Sequence, residues 1–188
     1  MNGKSKVLNK VVRWGIPFLM LLLSAVPFVI ASFYTLPVND DFSNSLMWKG
    51  VSSGKEYWEI SFGQMSNIYM TWQGTYTGNL ILYSVGAFYR WGVSGIRIFA
   101  VINIILFLGA LFYLTYMVMA YVVKVKTWFY VGIVYGVLDI CFFWTRIHSE
   151  FFYFHTASCM YTIPLAMGAV SIGMALKEIM GGEKELWK

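Results

Sequence analysis

Apolar residues run through this chain in long unbroken stretches, set apart by short polar or basic breaks. The stretches cover about residues 14–36, 98–123, 128–145 and 159–176. Each is close to the ~20 residues that a helix needs to cross the hydrocarbon core of a bilayer. The runs do not alternate with polar residues, so the pattern predicts helices rather than the strands of a barrel. Residues 79–91 are apolar nearly all round, yet a helix of that length reaches only about 20 Å. That is short of a ~30 Å core, so this segment is expected to be interfacial or re-entrant. The expected fold is all-α: a polytopic membrane helical bundle of four transmembrane helices, forming a single membrane domain over residues 1–188.

Breaks in the pattern refine these elements. Pro17 sits in the first turn of the first run, where proline is tolerated. Pro27 should kink its middle and Pro37 ends it. Residues 38–78 read as a polar, aromatic outer loop. Within it, Tyr57, Trp58, Phe62, Met65, Ile68 and Tyr69 have partly helical spacing. They predict an amphipathic helix over residues 57–70, lying on the membrane. Gly132 with Gly136, and Ala169 with Gly173, stand at helix-contact spacing. Small residues so placed let backbones approach closely in lipid, which points to further helices or a further membrane subunit.

Composition agrees with that picture. The chain is 59% hydrophobic and 12% charged, where soluble domains are about 25% charged. Its mean hydropathy is +0.62. The net charge of +5 does not imply nucleic acid, because the basic residues fall mostly at the ends of apolar runs. Lys4, Lys6, Lys10, Arg13, Lys124, Lys126, Lys177, Lys184 and Lys188 lie on one side in a four-span reading, nine of the 14. Lys49, Lys55, Arg90, Arg97 and Arg146 lie on the other. The positive-inside rule then puts both termini in the cytoplasm and residues 37–97 outside. The basic N-terminus with its long apolar run reads as an uncleaved signal anchor. Cys141 and Cys159 show no zinc-type spacing, and a buried thiol commonly behaves as a small hydrophobe.

Candidate chemistry gathers at the outer rim. Asn39-Asp40-Asp41 follows the first run, and two readings stand for it. The bland one is a helix exit that caps the next helix. The functional one is a pair of carboxylates placed for acid/base or metal chemistry. Glu56, Glu59, Arg90, Arg97, Arg146, His148, Glu150 and His155 fall on the same side. Carboxylates serve as general bases or bind divalent cations, and arginines grip phosphate with a bidentate fork. Together they suit a lipid that carries phosphate. The competing reading is ordinary interface decoration, with long basic side chains reaching for water. Asp139 lies inside the third run, and an intramembrane acid is a functional candidate. Arg146, seven residues on, shares its face, so a substrate cavity and a structural pair both remain open. An ion path through Asp139 ranks last, since Asn103 is nearly the only other strongly polar residue there. His148 and His155 lack a third ligand of fixed spacing, so no metal site is assigned. Walker, GxSxG, HExxH and GxGxxG signatures are absent.

Three stretches occur in order: Asn39-Asp40-Asp41-Phe42; Thr71-Trp72-Gln73-Gly74-Thr75-Tyr76; and Glu150-Phe151-Phe152-Tyr153-Phe154-His155-Thr156-Ala157, followed by Tyr161 and Pro164. Together they resemble the N-terminal part of bacterial polytopic glycosyltransferases of the GT-C class, in the branch similar to O-antigen glucosyltransferases. Thr75, Phe154 and Ala157 depart from that pattern, which has arginine, tryptophan and glycine there. The resemblance implies a transferase of the bacterial cytoplasmic membrane that serves the cell envelope. It would take a sugar from a polyprenyl-phosphate carrier on the outer face and pass it to a glycan or lipid acceptor. Asp40 or Asp41 would be the base, or would hold a divalent cation such as Mg or Mn. An outer arginine would steady the departing phosphate. Arg90, Arg97, Arg146, Glu150, His155, Trp72, Tyr161 and Asp139 are the candidate substrate-binding residues. Such enzymes carry about ten or more spans, so the likeness covers nearly all of this chain but only the first third or so of such an enzyme. That implies a truncated reading frame, one half of a split enzyme, or a shortened relative. The alternative is a non-catalytic multi-pass accessory or lipid-binding protein.

Overall fold

The structure, a computed structural model, describes residues 3–38, 40–71, 76–125, 128–144 and 148–182. It is helical, with no strand among the described residues. The helices are α1 (Gly3–Ser32), α2 (Asp40–Met47), α3 (Gly54–Thr71), α4 (Tyr76–Ser84), α5 (Gly92–Met117), α6 (Trp128–Trp144), α7 (His148–Tyr153), α8 (His155–Ala157) and α9 (Ile163–Gly182). A 3₁₀ helix (Gly86–Trp91) precedes α5, a π-helical turn (Val118–Val122) ends it, and a second π turn (Ser158–Thr162) joins α8 to α9. Among the described residues, the runs Tyr76–Val122 and His155–Gly181 are long and apolar enough to cross a bilayer. Leu19–Ser32 and Tyr130–Cys141 are shorter apolar helices.

Several elements differ from the sequence expectation. The stretch before residue 57, read as loop, contains α2. Its first turn carries Asp40 and Asp41, which suits the positive end of a helix dipole. It ends at Met47, and the turn that follows reaches Gly50 at φ 91°, a conformation that glycine adopts at little cost. The expected 79–91 segment divides into α4 and the 3₁₀ helix, and α5 follows at once from Gly92. Arg97, expected in a linker, is therefore inside α5. Helix α1 begins at Gly3, so Pro17 lies well inside it and not in its first turn.

Helix α3 begins with a reciprocal cap. Ser53 Oγ accepts the Glu56 N–H at 3.2 Å, and Glu56 Oε2 accepts the Ser52 N–H at 3.0 Å. The arrangement is close to a capping box, reached back one residue further than usual. These bonds, led by the Ser52 N–H, hold the Glu56 carboxyl below its ordinary range.

The chain divides into two compact units. One comprises Met1–Pro27, Leu106–Arg146 and Ala166–Lys188. There Tyr135 is fully buried, its hydroxyl shares a 2.9 Å hydrogen bond with Ser24 Oγ, and its ring meets Phe112 edge-on. The glycines noted at contact spacing receive side chains: Gly132 and Gly136 face Met20, and Gly173 faces Tyr113.

The other unit comprises Phe28–Ile105 and Ile147–Leu165. Its core gathers Trp48, Val51, Met65, Leu82, Tyr83, Tyr89, Ile96, Phe99 and Cys159. Fully burying one such apolar side chain contributes about 1.5–3 kcal/mol. Gly86 is flush against the Trp48 ring, and Gly95 against the Phe88 carbonyl, so neither position has room for a Cβ. Tyr57 ties α3 to the end of α4. Its hydroxyl lies 2.6 Å from the Ser84 carbonyl, and Ser61 Oγ donates to the Tyr83 carbonyl at 3.0 Å. Both carbonyls stand at a helix C-terminus and have no partner within the helix. Both cysteines are free; Cys141 is exposed and Cys159 belongs to this core.

Candidate functional site

The polar centre of the second unit is built on Asp41. Helix α8 starts at His155 after an extended Phe154 that offers no side-chain cap. Its first N–H groups therefore need an outside acceptor, and α2 supplies one. Asp41 Oδ1 accepts the Thr156 N–H at 3.0 Å, the Thr156 hydroxyl at 2.9 Å and the Tyr89 hydroxyl at 3.1 Å. Oδ2 accepts the His155 N–H at 3.3 Å. Asn44, one turn beyond Asp40 on α2, donates to Thr156 Oγ1 at 2.9 Å. The Asp41 side chain is completely buried. Burial raises its pKa above the ordinary carboxylate value, and the bonds from Thr156, Tyr89 and His155 offset only part of that rise. Of the two readings of the doublet, Asp41 takes the capping one, in an unexpected form: it caps a helix more than a hundred residues away.

His155 lies beside this carboxylate, 1% exposed. Its ring packs 4.3 Å from the Tyr89 ring and 4.0 Å from the Phe99 ring, centroid to centroid. Neither ring nitrogen has a hydrogen-bond partner among the described residues. Next to it, the Phe151 carbonyl collects three donors: Ser158 Oγ and Thr162 Oγ1, both at 2.6 Å, and Asn103 Nδ2 at 3.1 Å.

Asp40 is exposed and looks elsewhere. With Ser43 and Asn44 it forms one face of α2, at i, i+3 and i+4. That face lines a cleft of about 260 Å³, shared with Asn79, Tyr83, Thr156 and Tyr161. The opposite face, with Phe42, Ser45 and Leu46, lines a larger cleft of about 710 Å³ that also holds Lys49 and Arg90. A third cleft, of about 580 Å³, lies along Tyr34, Thr35, Glu150 and Tyr153.

The candidate residues are thus only partly brought together. Asp41 and His155 meet in the buried network, and Asp40 and Tyr161 share the small cleft. Arg90 stands across α2 from Asp40. Arg97 donates from Nε to the Thr35 carbonyl at 3.2 Å. Glu150 belongs to the third cleft, and Asp139 to the other unit, where its Oδ1 has no hydrogen-bond partner. Trp72 and Arg146 lie outside the described residues. Among the described residues no three His, Cys, Asp or Glu side chains converge as metal ligands. Both Asp41 oxygens face N–H or O–H donors, which do not fit a cation, so Asp40 and Asp41 do not form a shared Mg or Mn site. The sequence reading passed over Tyr89, Asn44 and Asn79. Only Asn44 carried a signal, its i+4 spacing from Asp40. Comparison with protein-family models, with curated proteins and with solved structures returns no match to this chain.

Proposed function

We propose that this chain is a multi-pass protein of the bacterial cytoplasmic membrane. In this reading residues 14–36, 98–123, 128–145 and 159–176 span it, both termini are cytoplasmic, and the unit around Asp41 faces outward. Exposed apolar side chains along the helices support it, among them Leu22, Leu23, Leu106, Ile140 and Ile172. Patches of that kind need lipid or a partner protein to cover them.

Within that setting the chain serves glycosyl transfer from a polyprenyl-phosphate carrier, by itself or as part of a longer enzyme. The observation that carries this reading is the presentation of Asp40. Its neighbour Asp41 locks α2 to the start of α8, and this holds the Asp40 carboxylate open to a cleft of sugar-ring size. Asn44 offers its side-chain amide to sugar hydroxyls, and the exposed Tyr161 offers a ring face. Asp40 takes the proton from the acceptor hydroxyl. The acceptor oxygen bonds to the anomeric carbon, the bond from that carbon to the phosphate oxygen breaks, and the lipid phosphate leaves. General-base assistance of this type contributes about 10²–10⁴-fold.

The test is sugar transfer from a polyprenyl-phosphate-linked hexose by membranes holding the full chain. Asp40→Asn should lower transfer at least about a hundredfold without loss of folded protein. Equal transfer by the variant removes Asp40 from the chemistry. A second reading, a non-catalytic accessory membrane protein, is favoured by one observation: Arg90 and Asp40 occupy different clefts on opposite faces of α2. It expects no transfer even from the wild-type chain.

A further inference from the structure

The cleft of about 710 Å³ is not used by this chemistry. It lies on the face of α2 turned away from Asp40. Two cations stand at it, Lys49 and Arg90. Neither forms an ion pair among the described residues. Glu56 senses the Arg90 charge, but it does not line the cleft and is already held by Ser52. Each cation is followed closely by a left-handed glycine that also lines the cleft: Gly50 at φ 91° and Gly92 at φ 58°. With no Cβ at either turn, a ligand can approach the backbone there.

Much of the rest of the lining is apolar, an open part over a buried floor of Trp48, Val51 and Ile96, with Ser45, Ser52 and Tyr89 adding polar groups. Phe42 is 59% and Leu46 68% exposed, and Val93 and Ile96 come from the first turns of α5. Trp91 stands next to this wall at 61% exposure. A free phosphate would use the two cations and gain nothing from this surface. A positive rim above an apolar floor, with a tryptophan beside it, matches an anionic amphiphile at the membrane interface.

We infer that the cleft formed by Lys49, Arg90, Phe42, Leu46, Val93 and Ile96 binds the phosphate headgroup and upper acyl chains of an anionic phospholipid. This rests on the membrane setting proposed above and not on sugar transfer. The site is separate from the Asp40 cleft, because α2 lies between them.

Native mass spectrometry of the detergent-solubilised full chain tests it, with dioleoyl-phosphatidylglycerol and dioleoyl-phosphatidylcholine as probes. The wild type should retain phosphatidylglycerol in preference to phosphatidylcholine. The double variant Lys49→Gln/Arg90→Gln should bind phosphatidylglycerol about thirtyfold more weakly, since each such cation is worth about a fivefold factor. Lys49→Arg/Arg90→Lys should keep the preference, which excludes general misfolding as the cause. Asp40→Asn should bind as the wild type does, so a failure of sugar transfer and a failure here are read separately. Equal phosphatidylglycerol retention by the wild type and the Gln variant overturns the inference. So does displacement of the lipid by millimolar inorganic phosphate, which would make this a free-phosphate site.

Discussion

Asp41 Oδ1 stands 3.0 Å from the backbone nitrogen of Thr156 and 2.9 Å from its hydroxyl, although 115 residues separate them. One carboxylate thereby does for α8 what a local Ser or Asp usually does for a helix start. It also joins two of the three stretches on which the resemblance to GT-C glycosyltransferases was based.

Replacing Asp41 by Ala leaves the His155 and Thr156 N–H groups and the Tyr89 hydroxyl buried without that acceptor. Stability should fall by on the order of 3 kcal/mol. Asn should not rescue it, because its amide nitrogen would face donors. Thermal unfolding and amide exchange at residues 155–156 measure this. An unchanged melt with intact protection would mean that the bonds carry no weight.

The raised pKa of Asp41 fixes the sign of its pH dependence. The folded state holds this proton more tightly than the unfolded chain does. Stability from this group is therefore fully present below the unfolded pKa, near 3.8. It declines as pH rises towards the folded value and is level above that. The melting temperature of the wild type relative to Asp41→Asn should drop from pH 4 towards neutrality. Glu56, lowered chiefly by the Ser52 N–H, has the opposite sign: its contribution is present above its ordinary value of 4.5 and is lost as pH falls through the lowered one.

Glycines divide into tight and free positions. Gly86→Ala must displace the Trp48 ring, and Gly95→Ala the Phe88 carbonyl, so each should cost about 1–3 kcal/mol. Gly63 lies in α3 with open space around it. Gly63→Ala should stabilise by about 0.5–1 kcal/mol through helix propensity. Melting temperatures of the three variants check the ordering.

The His155 ring is buried with two unpartnered nitrogens, which costs free energy that an apolar ring would not. His155→Phe should melt at the same temperature or higher. A markedly lower melt would show that the imidazole has a partner in solution, such as water or ligand.

Helix positions were largely legible in the sequence because long apolar runs and helix breakers act locally. The expected 57–70 helix corresponds to α3 at Gly54–Thr71, and the run ending near residue 145 to α6 at Trp128–Trp144. Helix α2 was not legible, since its eight residues are mostly polar. They are held by contacts made far along the chain. The same distance hid the division of labour in the doublet. Nothing local distinguishes Asp40 from Asp41, and only the start of α8 decides which one is enclosed. The position of Arg90 was hidden for a related reason. No local pattern shows which face of α2 it meets.

The long reach from Asp41 to Thr156 also sets a timetable. At about 5–20 residues per second on the ribosome, residue 156 is made roughly 6 to 23 seconds after residue 41. During that interval the carboxylate stays hydrated and α2 has no anchor at its first turn. Completion of this unit therefore waits on a segment synthesised after two intervening apolar helices, and the nascent protein passes through a stage in which the unit around Asp41 is largely made but not closed.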